Sequence, residues 1–125
     1  MNEDFAPFEL AVKLKEKGFN EPCYGYYHRD GGNDSFELCG NGDRDFLNSK
    51  NQYRVAAPTI SQVLKWLREK KKLHLEISFW STTGTWSCKV VKITNLPDGD
   101  WDVHRCESYE DAAIKAIEHL VKYWI

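Results

Sequence analysis

Residues 73–93 read LHLEISFWSTTGTWSCKVVKI, and this stretch decides the fold. Leu73, Leu75, Ile77 and Phe79 alternate with His74, Glu76, Ser78 and Trp80, which is the period of a strand with one apolar face. Ser81-Thr82-Thr83-Gly84 is turn chemistry, with the glycine free to take positive φ. Residues 85–93 are rich in β-branched and aromatic side chains and predict the returning strand. Pro97-Asp98-Gly99 predicts a second turn, and Trp101 to Cys106 a third strand. Turns this short join antiparallel neighbours, so the segment predicts a meander. The buried faces of the second and third strands are left open, because Trp86, Cys88 and Val90 compete with Val91 and Ile93.

A helix is predicted on each side of the meander. Thr59-Ile60-Ser61-Gln62 fits a capping box, and Ile60, Val63, Leu64 and Leu67 follow as one apolar stripe, closed by Arg68-Glu69-Lys70-Lys71-Lys72. On the far side, Ser108 caps a helix with Glu110 and Asp111 in its first turn, where the helix dipole favours acids. Ala113, Ala116, Ile117, Leu120, Val121 and Trp124 form its stripe. Burying the four large members contributes roughly 6–12 kcal/mol gross, against about 0.5 kcal/mol for a surface ion pair. This last helix is therefore expected to be integral to a core.

The N-terminal half reads less sharply. Residues 6–17 predict a helix, with Pro7 at its first position, Gly18 as its stop and Phe19 folding back on its end. Residues 23–28 and 35–39 predict a hairpin across the turn Arg29-Asp30-Gly31-Gly32-Asn33-Asp34. Residues 40–51 predict a solvated loop, and residues 52–56 one more short strand. The expected fold class is α+β, a mostly antiparallel sheet with three helices in the order α-β-β-(β)-α-β-β-β-α. A chain of 125 residues without repeats or linkers is expected to form a single domain over residues 1–125.

The net charge of -2 supplies no general attraction to nucleic acid or anionic membrane. No apolar run is long enough to cross a bilayer, and Met1-Asn2-Glu3-Asp4 lacks the apolar stretch of a secretory signal. A cytoplasmic location is therefore expected. Cys23, Cys39, Cys88 and Cys106 then read as reduced thiols packed as small hydrophobes.

Chemical motifs are scarce. No two cysteines have the close spacing of a zinc site; His104 and Cys106 are expected to share a strand face with His74 nearby, but no metal or cofactor is called for. Asp43 and Asp45 begin a calcium-loop pattern that Leu47 breaks, with Asn48 left over. Four cysteines and four histidines are parts for nucleophilic catalysis, yet no local signature joins them, so no catalytic residue is assigned. A basic cluster, Lys65, Arg68, Lys70, Lys71 and Lys72, is the candidate nucleic-acid surface. Trp80, Trp86 and Trp101 on the meander are the candidate protein-binding residues.

Two resemblances bear on these readings. The order helix, three strands, helix over residues 59–125 resembles the double-stranded-RNA-binding domain. That family begins its last helix with phosphate-gripping lysines, whereas Ser108-Tyr109-Glu110-Asp111 stands here and would repel phosphate. The phrases Leu14-Lys15-Glu16-Lys17-Gly18-Phe19, Glu21-Pro22-Cys23, Ala57-Pro58-Thr59, Lys65-Trp66-Leu67-Arg68-Glu69-Lys70, Leu73-His74-Leu75-Glu76-Ile77 and Ser108-Tyr109-Glu110-Asp111-Ala112 are, as a set, similar to small proteins of gut Bacteroides and their phages or mobile elements. That group has no established activity, so the resemblance implies an accessory role and carries no site residue. The sequence thus favours a small cytoplasmic, non-enzymatic accessory protein that binds another macromolecule, with a protein partner preferred and a homo-oligomer left open. The alternatives are nucleic-acid binding through the basic cluster and a small Cys/His-dependent enzyme.

Overall fold

The computed structural model describes residues 5–40, 44, 46–50, 53–93 and 101–125. Among the described residues three α-helices and two three-stranded antiparallel sheets make an α+β fold in the predicted order. The chain divides into two compact units, Met1–Gln62 and Val63–Ile125.

The first unit opens with α1 (Phe8–Glu16), which buries Leu10, Ala11 and Leu14. Pro7 stands one place earlier than expected, as the extended cap at φ -61° and ψ 159°, and the Phe8 N–H donates to Asn33 Oδ1 at 2.8 Å. Gly18, at φ 91°, turns the chain so that the Phe19 N–H reaches Leu14 O at 2.9 Å. The sheet orders its strands β2-β1-β3, with β1 (Gly25–His28) between β2 (Glu37–Leu38) and β3 (Arg54–Ala57). A Cβ at Gly25 would lie 2.7 Å from the Phe36 ring and 2.9 Å from Glu37 O, so only glycine admits this crossing. Ala11, Tyr27, Val55 and Ala57 form the core here, with Phe5, Phe8, Val12 and Phe36 packed on it.

The loop before β3 corrects the solvated reading at Phe46, which is buried and bridged to Cys23, and at Asn48. Asn48 is buried, donating through Nδ2 to Phe19 O at 2.8 Å and accepting the Ala56 N–H on Oδ1 at 2.9 Å. It clamps the loop to the end of α1 and to β3, so it is a structural residue and not a leftover ligand. Asp43, Asp45 and the predicted turn at residues 97–99 lie outside the described residues.

The boundary between the units falls inside α2 (Ile60–Trp66). The predicted capping box is present: the Gln62 N–H donates to Thr59 Oγ1 at 3.2 Å, and the Thr59 N–H donates to Gln62 Oε1 at 3.0 Å. Ile60, Val63, Leu64 and Leu67 are all buried. A π-helical turn, Leu67–Lys71, continues the helix, and Lys72 stops it in the left-handed region at φ 57°.

The meander of the second unit is β4 (Leu73–Trp80), β5 (Thr85–Lys92) and β6 (Trp101–Cys106), in that spatial order. The register sets Phe79 against Trp86, Ile77 against Cys88 and Leu75 against Val90, so the Trp86, Cys88 and Val90 face of β5 is the buried one. α3 (Tyr109–Tyr123) lies over it and packs on all three strands. The Ser108 hydroxyl accepts the Asp111 N–H at 3.0 Å, and Ala113, Ala116, Ile117, Leu120 and Val121 are buried. Val91 is half-buried and Ile93 is exposed on the other face.

The last part of the apolar alternation overshoots this cover. Leu73 and Leu75 are buried and Ile77 half-buried, but Phe79 is 54% exposed. The hairpin runs on past the start of α3, so its final apolar position has no helix above it.

Candidate functional site

The exposed end of the β4–β5 hairpin is built by short-range contacts. Trp80 is 52% exposed, and its indole N–H donates to Ser87 Oγ at 2.7 Å. Ser87 is buried on the same face of the sheet. The Trp80 carbonyl accepts the N–H groups of Thr83 at 3.3 Å and Gly84 at 2.8 Å, with Gly84 at φ 69°. The Thr83 and Thr85 hydroxyls meet at 2.6 Å. The indole is therefore held before anything binds to it.

Beside it, Trp80, Thr83, Thr85, His104 and Arg105 line a shallow, mostly apolar depression of about 230 Å³. An irregularity in β6 creates it. Cys88 faces Val103 and Trp86 faces Cys106, so β6 carries one more residue than β5 over that interval. Arg105 takes φ 60° at this bulge, a region that side chains other than glycine seldom occupy. The extra residue corrects an expectation: His104 and Cys106 do not share a face. His104 lies with Trp80, its Nε2 3.3 Å from Asp102 Oδ2, while Cys106 turns into the core.

The opposite face of the same hairpin end is aromatic too. The Phe79 ring lies 5.1 Å from that of Trp86, which lies 5.9 Å from that of Tyr109. Trp86 is half-buried, while Phe79 and Tyr109 are exposed. Trp101 stacks on His119 at 4.3 Å and 10° beneath α3. The three tryptophans read from the sequence are thus dispersed: Trp80 on the open face, Trp86 and Trp101 on the helix-covered one. Phe79, Thr83, Thr85, His104 and Arg105 join Trp80 at the hairpin end, and no sequence signal marks the bulge that places Arg105 there.

The basic cluster occupies the end of α2 and the turn after it. Lys65 Nζ lies 4.0 Å from Glu69 Oε1, and Lys71 Nζ sits 5.3 Å over the Trp66 ring. Arg68, Lys70 and Lys72 are exposed.

Thiol chemistry is poorly served. All four cysteines are free, and Cys23, Cys88 and Cys106 are buried. Burial pushes the Cys23 and Cys88 thiols up to about 12 and raises that of Cys106. These groups stay protonated at neutral pH, whereas the nucleophile is the thiolate. Among the described residues no three His, Cys, Asp or Glu side chains are grouped to hold a metal, and no helix is long and apolar enough to cross a membrane. No protein-family model, curated protein or solved structure matches this chain.

Proposed function

We propose that this protein is a non-enzymatic binding module whose partner is another protein, and that Trp80 anchors the contact. The observation that carries the reading is an indole half open to solvent yet fixed by its bond to Ser87. A tryptophan already held in place loses little freedom on binding, and tryptophan is enriched among the residues that dominate interface energies. The depression beside it adds Arg105 to meet a partner carboxylate and two hydroxyls to meet polar groups. Phe79 and Tyr109 extend the apolar contact around the hairpin end.

Nucleic-acid binding has less support, because Glu69 lies within the basic cluster beside Lys65 and the net charge is -2. A Cys/His enzyme has less still, with its buried thiols held protonated. A cytoplasmic setting, and an accessory role for a Bacteroides phage or mobile element, belong to the same proposal. Four free cysteines suit a reducing compartment.

The test is calorimetric titration against a partner captured by cross-linking. Trp80→Ala is expected to weaken binding by about 2–4 kcal/mol, and Lys70→Ala by less than about 0.5 kcal/mol. An unchanged affinity in Trp80→Ala, whatever Trp86→Ala and Trp101→Ala do, would show the reading to be wrong.

A further inference from the structure

We infer that a second copy of the chain joins this hairpin edge to edge along β4; the inference rests on the protein-binding reading above. Among the described residues the sheet order leaves β4 with a neighbour on one side only. Natural edge strands are protected by shortness, lysine, proline or a bulge. β2 and β3 are two and four residues long, and β6 carries its bulge with Asp102, His104 and Arg105 around it. β4 has no lysine, proline or bulge, and its one carboxylate is Glu76. It runs for eight residues, LHLEISFW, and pairs with β5 through all eight without irregularity.

The ladder shows which backbone groups face outward. Extending the register from Leu73 and Lys92 sets Lys72 opposite Ile93, and the Ile93 N–H donates to Lys72 O at 2.8 Å. Even-numbered residues of β4 therefore address β5, and Leu73, Leu75, Ile77 and Phe79 turn their N–H and C=O groups to the open side.

A two-fold antiparallel pair places one residue opposite itself. Centring on Glu76 would set two carboxylates face to face, which is repulsive. Centring on Ser78 would set Leu75 against the turn residue Ser81 of the second copy. Centring on Ile77 matches residues 74–80 with 74–80. Ile77 then faces Ile77, Leu75 faces Phe79, Glu76 faces Ser78 and His74 faces Trp80. The three pairs of outward residues exchange about six ladder hydrogen bonds, and the exposed Phe79 and Trp80 each gain a cross-strand neighbour. The product is one six-stranded sheet, β6-β5-β4-β4-β5-β6.

Sedimentation velocity of the full chain, from about 1 µM to about 1 mM, is expected to show a monomer passing to a dimer. Ser78 is exposed, so charge can be introduced there without disturbing the core. Ser78→Glu sets a carboxylate against Glu76 of the other copy at two symmetric places and is expected to raise Kd about tenfold. Ser78→Lys is expected to lower Kd, and Glu76→Lys combined with Ser78→Glu to restore dimerisation. Circular dichroism of each variant checks folding. A chain monomeric at every concentration, or a dimer indifferent to both charges, overturns the inference. If that monomer still binds a different protein and loses it in Trp80→Ala, self-pairing falls and the protein-binding reading stands.

Discussion

Leu120 has no solvent exposure and sits in the stripe by which α3 covers the meander. Leu120→Ala removes three carbons from that contact. At about 0.8 kcal/mol for each buried carbon, the transfer loss is about 2.4 kcal/mol. The cavity left behind adds to it, and fully buried Leu→Ala changes elsewhere cost about 2.7–5.0 kcal/mol. We expect about 3–4 kcal/mol here, a large share of the roughly 5–15 kcal/mol that holds a domain together. Urea unfolding followed by far-ultraviolet circular dichroism reads it directly. With a slope of about 1–2 kcal/mol per molar urea, the midpoint of the transition that includes α3 falls by about 2 M. Glu118→Ala, on the exposed side of the same helix, is the control and should stay within about 0.5 kcal/mol of the parent. A Leu120→Ala chain within about 1 kcal/mol of the parent would mean that α3 does not seal that face, and the assignment of Trp80 to the open face would fall with it.

Three further outcomes follow from local chemistry. Glu37 accepts the Tyr26 hydroxyl at 2.8 Å and lies 3.2 Å from His28 Nε2, and these bonds, Tyr26 first, hold its carboxyl below the ordinary range. A carboxyl lowered on folding stabilises above its unfolded value and loses that contribution as pH falls through the folded one; the acid-side loss of stability should be shallower in Glu37→Gln, and identical pH profiles would contradict this. Brief iodoacetamide treatment with peptide mapping should modify half-buried Cys39 first and leave Cys23 and Cys88 protected until the chain unfolds; equal rates at Cys39 and Cys88 would contradict it. Thr59→Ala should cost about 1 kcal/mol through loss of the Gln62 N–H partner, whereas no change in the urea midpoint would deny the capping box a role.

How much of this was legible depended on how local the physics is. The Thr59 and Gln62 box and the Ser108 cap were readable because donor and acceptor lie within three residues. The stripe of α3 and the alternation of β4 were readable because periodicity is a local property. Phe79 shows the limit: its place in the alternation is right, but its exposure depends on where α3 begins, some thirty residues later. Asn48 was illegible for the same reason, since its partners Phe19 and Ala56 lie 29 and 8 residues away. The bulge left no signal, because Arg105 has no intrinsic preference for positive φ. Without the bulge, His104 and Cys106 looked like neighbours on one face, and the depression beside Trp80 had no sequence signature. The division of six strands into two sheets is likewise set by long-range pairing.

The central claim is that Trp80 is an open, pre-set contact, and fluorine NMR of 5-fluorotryptophan-labelled protein tests it most directly. Five resonances, assigned by single Trp→Phe changes, are exposed to a soluble gadolinium chelate. The resonance of Trp80 should broaden most and that of buried Trp66 least, and on raising the protein concentration Trp80 should shift ahead of the others. A Trp80 resonance as protected as Trp66 from the start, or one that stays still while another tryptophan responds, would contradict the account.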